Sequence, residues 1–104
     1  MSRARSAKPL STHDRKVREI ARSLEKQGYK VRADIRGREK PRSIGSKKLV
    51  PDIEASRGGR RLVVEVETAA SLAKDKEQLK TFARHAGQKA NTTLRVVVTK
   101  PRKK

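Results

Sequence analysis

The chain has 104 residues, with 29 Lys and Arg against 11 Asp and Glu, no Cys and 2% aromatic residues. This length and apolar content support one small aliphatic core, and the missing thiols exclude disulfides and thiolate metal sites. The net charge of +18 points to a polyanion; three of those charges lie in residues 1–10 and four in residues 99–104, which leaves +11 on the body of the chain. No apolar run approaches the roughly 20 residues that span a bilayer, and the start lacks the apolar stretch of a signal peptide. An intracellular, cytoplasmic protein is expected, associated with nucleic acid and without a membrane partner or small-molecule cofactor.

Residues 1–10 read as a basic disordered tail, 11–99 as one domain and 100–104 as a second basic tail. Ser11 or Thr12 starts a helix, and Ser11 with Asp14 three residues on resembles a capping box. Val17, Ile20, Ala21 and Leu24 give the stripe of one buried helix face. Arg15, Arg18 and Arg22 decorate the other face and are candidate phosphate contacts. Gly28 suits the C-terminal cap. Tyr29 to Arg36 alternates as a half-buried strand, with Tyr29, Val31, Ala33 and Ile35 on its apolar side. Gly37 to Leu49 is a loop rich in charge and turn formers, and it adds Lys47 and Lys48 as candidate DNA contacts.

Val50 to Glu67 reads as two strands joined by a tight turn at Gly58-Gly59, because such turns need positive φ. Centring the turn there sets Asp52 opposite Glu65, Ile53 opposite Val64, and Glu54 opposite Val63. One face is then Pro51, Ile53, Ala55, Leu62, Val64 and Val66, wholly apolar. The other carries Asp52, Glu54, Glu65 and Glu67, with Val63 as its apolar exception. A one-residue slip would mix the faces, so the pattern selects the register. Asp52 and Glu65 would have Cβ atoms about 4.5–5.5 Å apart. Converging carboxylates favour a hard cation such as Mg²⁺ or Mn²⁺. The plainer alternative is a solvated strand face neutralised by neighbouring Lys and Arg.

Thr68 can cap a second helix running to about Ala86, with Gly87 just past its end and Leu72, Leu79, Phe82, Ala83 and Ala86 as its stripe. Thr93 to Thr99 is a final β-branched strand, expected to be buried. The intervening helix makes a crossover, so this strand should lie parallel to the third. There is no internal repeat. The order αβββαβ gives an α/β domain with a mixed four-stranded sheet flanked by two helices.

That order, with Pro51-Asp52 and then Glu65-Val66-Glu67 across a hairpin, resembles the PD-(D/E)xK nuclease superfamily, which has the restriction-endonuclease-like fold. The resemblance covers nearly all of residues 11–99. Gln78-Leu79-Lys80-Thr81-Phe82 is similar to the Q-hydrophobic-x-x-aromatic motif of several branches. Small size, basic surface and the Gly28-Tyr29-Lys30-Val31-Arg32 entry into the first strand are most similar to archaeal Holliday-junction resolvases and their viral relatives. One departure is clear: Glu67 stands where Lys is usual.

The resemblance implies a Mg²⁺- or Mn²⁺-dependent DNA endonuclease acting on duplex or branched DNA, working as a homodimer. It implies Asp52 and Glu65 as metal ligands, and Glu67 as a base that orients or deprotonates water or as a further metal ligand. Lys74, Lys76 or Lys80 would supply the missing cation, and Lys80 is also a candidate DNA contact. Gln78 either orients a water or is a boundary residue. Members often add a Glu from the first helix; Glu19 is the candidate by position, although helical spacing turns it from the apolar stripe. Glu54 reads as a solvated neighbour, and His13 and His85 as surface residues. Two other readings remain open on sequence: a non-catalytic DNA-binding module on the same fold, and a small basic RNA-binding protein of ribosomal type.

Overall fold

The computed structural model describes residues 11–99. Both basic tails lie outside the described residues. Helix α1 spans Thr12–Lys26, and the Ser11 side chain caps it by accepting the Asp14 N–H. Its C-terminal end closes on Gly28, at φ +95°, with the Tyr29 N–H donating to the Leu24 carbonyl. Strands β1 (Lys30–Ala33), β2 (Ile53–Arg57) and β3 (Arg60–Thr68) follow. Then come α2 (Ala69–Lys74), α3 (Lys76–Gln88) and β4 (Thr92–Thr99).

The sheet order is β1-β2-β3-β4, antiparallel except for the parallel β3–β4 pair. The hairpin pairs in the expected register, with Ile53 opposite Val64 and Glu54 opposite Val63. Gly58 and Gly59 both take positive φ, at +55° and +82°, as the tight turn requires. Its apolar face supplies Ile53, Ala55, Leu62, Val64 and Val66 to the main core, against Val17, Ala21 and Leu24 of α1. The opposite face packs Val63 against Phe82 of α3 and Ile44 of the long loop. The sheet is thus covered by α1 on one face and by α2 and α3 on the other.

Four expectations need correction. The second helix is two, broken at Asp75 (φ −100°, ψ 22°); Asp is a poor helix-interior residue because its carboxylate competes for backbone groups. The second of these runs through Gly87 to Gln88, and the chain leaves it at an extended Lys89. The first strand covers only Lys30–Ala33, because the Ala33 N–H turns to the Glu39 carbonyl and the Asp34 N–H to that of Asp52. The last strand is not buried: β4 is the sheet edge, and Val96 and Val98 are 38% and 45% exposed.

The loop before the hairpin is ordered by its own bonds. Ile44 and Leu49 exchange two backbone hydrogen bonds, of 2.7 and 3.0 Å, and Ile44 is buried. Gly45 lies so close to α3 that a Cβ there would sit 3.1 Å from the Thr81 methyl, at a φ of +82°. Phe82, fully buried, joins this loop to the sheet. Phe82→Ala is therefore expected to cost about 3–5 kcal/mol. Urea unfolding of the two proteins at equal pH measures it; a loss under about 1 kcal/mol would mean that this second cluster is not a core.

Candidate active site

Where β2 begins and β3 ends, the two strands are clasped by side chains. The Asp52 N–H donates to Glu65 Oε2 at 2.8 Å, and the Val66 N–H donates to Asp52 Oδ2 at 2.8 Å. Each carboxylate thus accepts a main-chain hydrogen bond from the other strand. Glu65 is 2% exposed, and its second oxygen accepts from Gln78 Nε2 of α3 at 3.1 Å. The position of Gln78 three residues into α3 follows from the break at Asp75. Glu67 is also buried, and its Oε1 accepts from Ser71 Oγ at 2.6 Å. Ser71 completes the capping box of α2 with Thr68, so Glu67 is tied to a helix start.

The four acids of this face have separate fates. Glu54 is not a solvated neighbour. It is buried between Arg42, which donates from both its backbone N–H (3.0 Å) and its guanidinium (2.8 Å), and Arg61 at 3.2 Å. That neutralisation leaves no reason to expect a metal there. Among the described residues, no Lys or Arg forms an ion pair with Asp52, Glu65 or Glu67. Lys80, offered as a replacement cation, instead pairs with Glu77 at 3.7 Å on an exposed part of α3. Lys74 and Lys76 are likewise exposed.

Helix α1 contributes His13, not Glu19. His13 Nε2 lies 3.2 Å from Asp52 Oδ2, and its Nδ1 lies 2.9 Å from Asp14 Oδ1. The Glu19 carboxylate is 71% exposed and pairs with Lys16. No sequence motif marked His13; the signal available was its place in the first helical turn, one turn before the inward-facing Val17. His85 is not a plain surface residue either, since its Nε2 is buried without a hydrogen-bond partner. Arg15 and Arg22 are exposed on α1 and Arg18 is half-buried, while Lys47 and Lys48 are exposed at the tip of the 44–49 turn.

Burial first, and then the Asp52 carboxylate, push Glu65 up to about 8. Burial likewise raises Asp52, against the lowering effects of the Val66 N–H and His13. Glu67 is raised by burial, with Ser71 opposing and Asp75 adding to the rise. Burial works against the charge on His13, but the hydrogen bond to Asp14 and the Asp52 carboxylate outweigh it and raise the group. Two converging carboxylates, one buried and one half-buried, with no Lys or Arg against them are a donor set that a hard divalent ion fits. Among the described residues, no three His, Asp or Glu side chains form a ready-made cage. Mg²⁺ does not need one, because it keeps several waters and binds through one or two carboxylates.

The sign of the pH effect follows. Between the unfolded value of about 4.5 and the folded value of about 8, folded Glu65 holds a proton that the unfolded chain has lost. The stability of the metal-free protein therefore falls as pH rises through that window, and His13 acts in the same direction. In chelator, the thermal midpoint should drop between pH 5 and pH 8, by the equivalent of up to a few kcal/mol. Glu65→Gln should flatten that slope. A midpoint that rises across the window, or a Glu65→Gln slope equal to that of the parent, would contradict the assignment.

No curated protein sequence matches the chain. The sequence profile of the archaeal Holliday junction resolvase (Hjc) family matches residues 12–103. Among solved structures, the chain is similar to Hjc of Archaeoglobus fulgidus, a Holliday junction resolvase from an archaeal hyperthermophile. The two share 30% identity with a TM-score of 0.53, over 89% of this chain and 68% of that one. The fold is thereby the α/β restriction-endonuclease-like fold, with three helices in place of the two expected. The family acts as metal-dependent nucleases on branched DNA. With its fold, its hairpin carboxylates and its profile in agreement, the chain belongs to the archaeal Holliday junction resolvase family.

Proposed function

We propose that this metal-dependent DNA endonuclease cuts four-way junctions as a homodimer, with Asp52 and Glu65 holding Mg²⁺ or Mn²⁺. The observation that carries the proposal is the Asp52–Glu65 clasp, whose two converging carboxylates have no Lys or Arg against them among the described residues and only His13 beside Asp52. When bound, the ion supplies Lewis acidity toward water and toward the scissile phosphate. Gln78 holds the Glu65 carboxylate in one orientation through its 3.1 Å hydrogen bond. Glu67 orients the attacking water and accepts its proton, a task suited to an acid raised by burial. Arg15, Arg18, Arg22, Lys47, Lys48 and Lys80 neutralise DNA phosphates around the site, so recognition rests on backbone and shape rather than base edges. With one Tyr, one Phe and no Trp, base stacking has little to work with.

A second copy is the occupant that fits the uncovered face of α2, α3 and β4. Leu72, Leu79, Ala83, Leu94, Val96 and Val98 line it and are exposed or only half-buried. Two symmetric incisions in a junction need two sites, and a face this apolar on a chain of charge +18 favours a like partner over the solvent. Leu79→Glu with Val98→Glu should convert the dimer to a monomer in sedimentation equilibrium, with circular dichroism unchanged. A dimer that survives both changes would place the interface elsewhere.

The nuclease reading is tested with end-labelled linear, nicked, flapped and four-way-junction DNA, in Mg²⁺, Mn²⁺ or EDTA. The parent should cut the junction only with metal. Glu65→Ala should lose cleavage by at least about 10³-fold and keep junction binding in a gel-shift assay. Tight binding with no cutting in any metal or pH would mean that Glu67 marks a lost active site on a DNA-binding fold.

A further inference from the structure

The end of the hairpin remote from the carboxylates carries the opposite charge, with nothing to offset it. The register sets Arg57 directly opposite Arg60, so two like charges share one strand face beside the Gly58-Gly59 turn. Such an opposition destabilises a sheet. On β4, Arg95 pairs in register with Val64, on the same face, and is exposed. A cavity of about 250 Å³ opens here, and Tyr29, Arg60, Asn91, Thr93 and Arg95 line it. Arg57 adjoins it, with its guanidinium over the Tyr29 ring, 5.9 Å from the centroid. All 11 acids of the chain lie within the described residues, and none forms an ion pair with Arg57, Arg60 or Arg95. Arg61, by contrast, is engaged with Glu54 at 3.2 Å.

We infer that this arginine groove is a second DNA-backbone site, which takes phosphates of a duplex arm that the carboxylate end does not touch, and that it sets the preference for branched over linear DNA. The inference rests on the reading that the carboxylate end of the hairpin takes the cut strand of a junction. Three observations carry it. The groove gathers guanidinium forks, which match phosphate oxygens, beside the side chains of Asn91 and Thr93, which also bond to phosphate. Arg57 is held before any ligand arrives, because it lies over Tyr29 and against Gly28, where a Cβ would sit 3.5 Å from its Nε. The position is the third. Five strand residues separate Arg60 from Glu65, about 17 Å. Alternation puts Arg57 and Arg60 on the α1 face with Ala55 and Leu62, while Glu65 faces α3 through Gln78. A straight duplex against one face does not reach both places; two arms that diverge from a branch point do.

The consequence is selectivity for DNA structure. A linear duplex engages one site at a time. In branched DNA, the second contact is made within the complex, at the high effective concentration that linkage gives. The groove therefore adds affinity only where two arms are joined. Each phosphate that an Arg neutralises also adds about 0.9 to the salt dependence of binding.

The test is fluorescence anisotropy of the full-length protein in EDTA, which prevents cleavage. The probes are a labelled four-way junction and a linear duplex with the sequence of its arms, each across a salt series. Arg57→Ala combined with Arg60→Ala and Arg95→Ala is compared with Lys26→Ala combined with Arg36→Ala and Arg84→Ala. The second set removes the same charge from exposed positions outside the groove. The groove variant should bind the junction about 10- to 100-fold more weakly than this control, with a log–log salt slope smaller by about 2–3. Its affinity for the linear duplex should stay within about threefold of the control. Arg60→Glu alone should weaken junction binding more than Arg60→Ala while its thermal midpoint holds, because an acid opposite Arg57 relieves the repulsion; this separates lost binding from lost folding. A groove variant that matches the control on both DNAs, or that loses junction and duplex equally, overturns the inference. A parent that binds junction and duplex alike sinks the junction reading and this inference with it. A parent that prefers the junction, with a groove variant that keeps the preference, overturns this inference alone.

Discussion

The clasp between Asp52 and Glu65 is the constraint on which the rest of the structure depends. Each acid takes a main-chain N–H of the opposite strand, so the carboxylates replace ladder bonds where β2 begins. This fixes both side chains without neutralising either. Burial then makes their charges costly, which is why Glu65 is held up at about 8. A protein of net charge +18 has ample means to pair these acids, as Arg42 and Arg61 do for Glu54, two strand positions along the same face from Asp52. Asp52 and Glu65 have no Lys or Arg beside them among the described residues, on a face where the next acid is doubly paired, and this contrast is what favours the proposed cation from solution.

The surrounding elements serve that arrangement from three sides. The main core locks β2 and β3 in register through Ile53, Val64 and Val66 under α1. Phe82 seats α3, which holds Gln78 against Glu65. The first turn of α1 delivers His13 to Asp52. The 44–49 turn, pinned by Ile44 and by the close approach of Gly45 to α3, presents Lys47 and Lys48 on a fixed backbone. The proposed catalytic side chains thus stand on strands and helix starts, and the basic side chains proposed to meet DNA stand at exposed helix faces and a turn tip.

Much of this was legible in the sequence, and for a physical reason. A hairpin with one fully apolar face has only one register that buries that face, so the Asp52–Glu65 opposition followed from alternation alone. The parallel β4 followed from the helical crossover. What escaped was set by tertiary contact. Glu54 looked solvated because Arg42 reaches it from a loop twelve residues earlier. The break at Asp75 and the exposure of β4 depend on how α2 and α3 sit on the sheet edge. His13 carried no motif, since a lone His in a first helical turn is informative only once Asp52 is found beside it. Glu67 was visible as a departure from the family pattern, and its bond to Ser71 shows how the fold accommodates an acid where a Lys is usual.

The central claim is that the clasped carboxylates hold a divalent ion. A crystal soaked in Mn²⁺, measured near the manganese absorption edge, tests it most directly. The account predicts an anomalous difference peak within bonding distance of both Asp52 and Glu65, absent from a Glu65→Gln crystal. A saturated soak with no peak at that pair, or a peak that persists in Glu65→Gln, would contradict it.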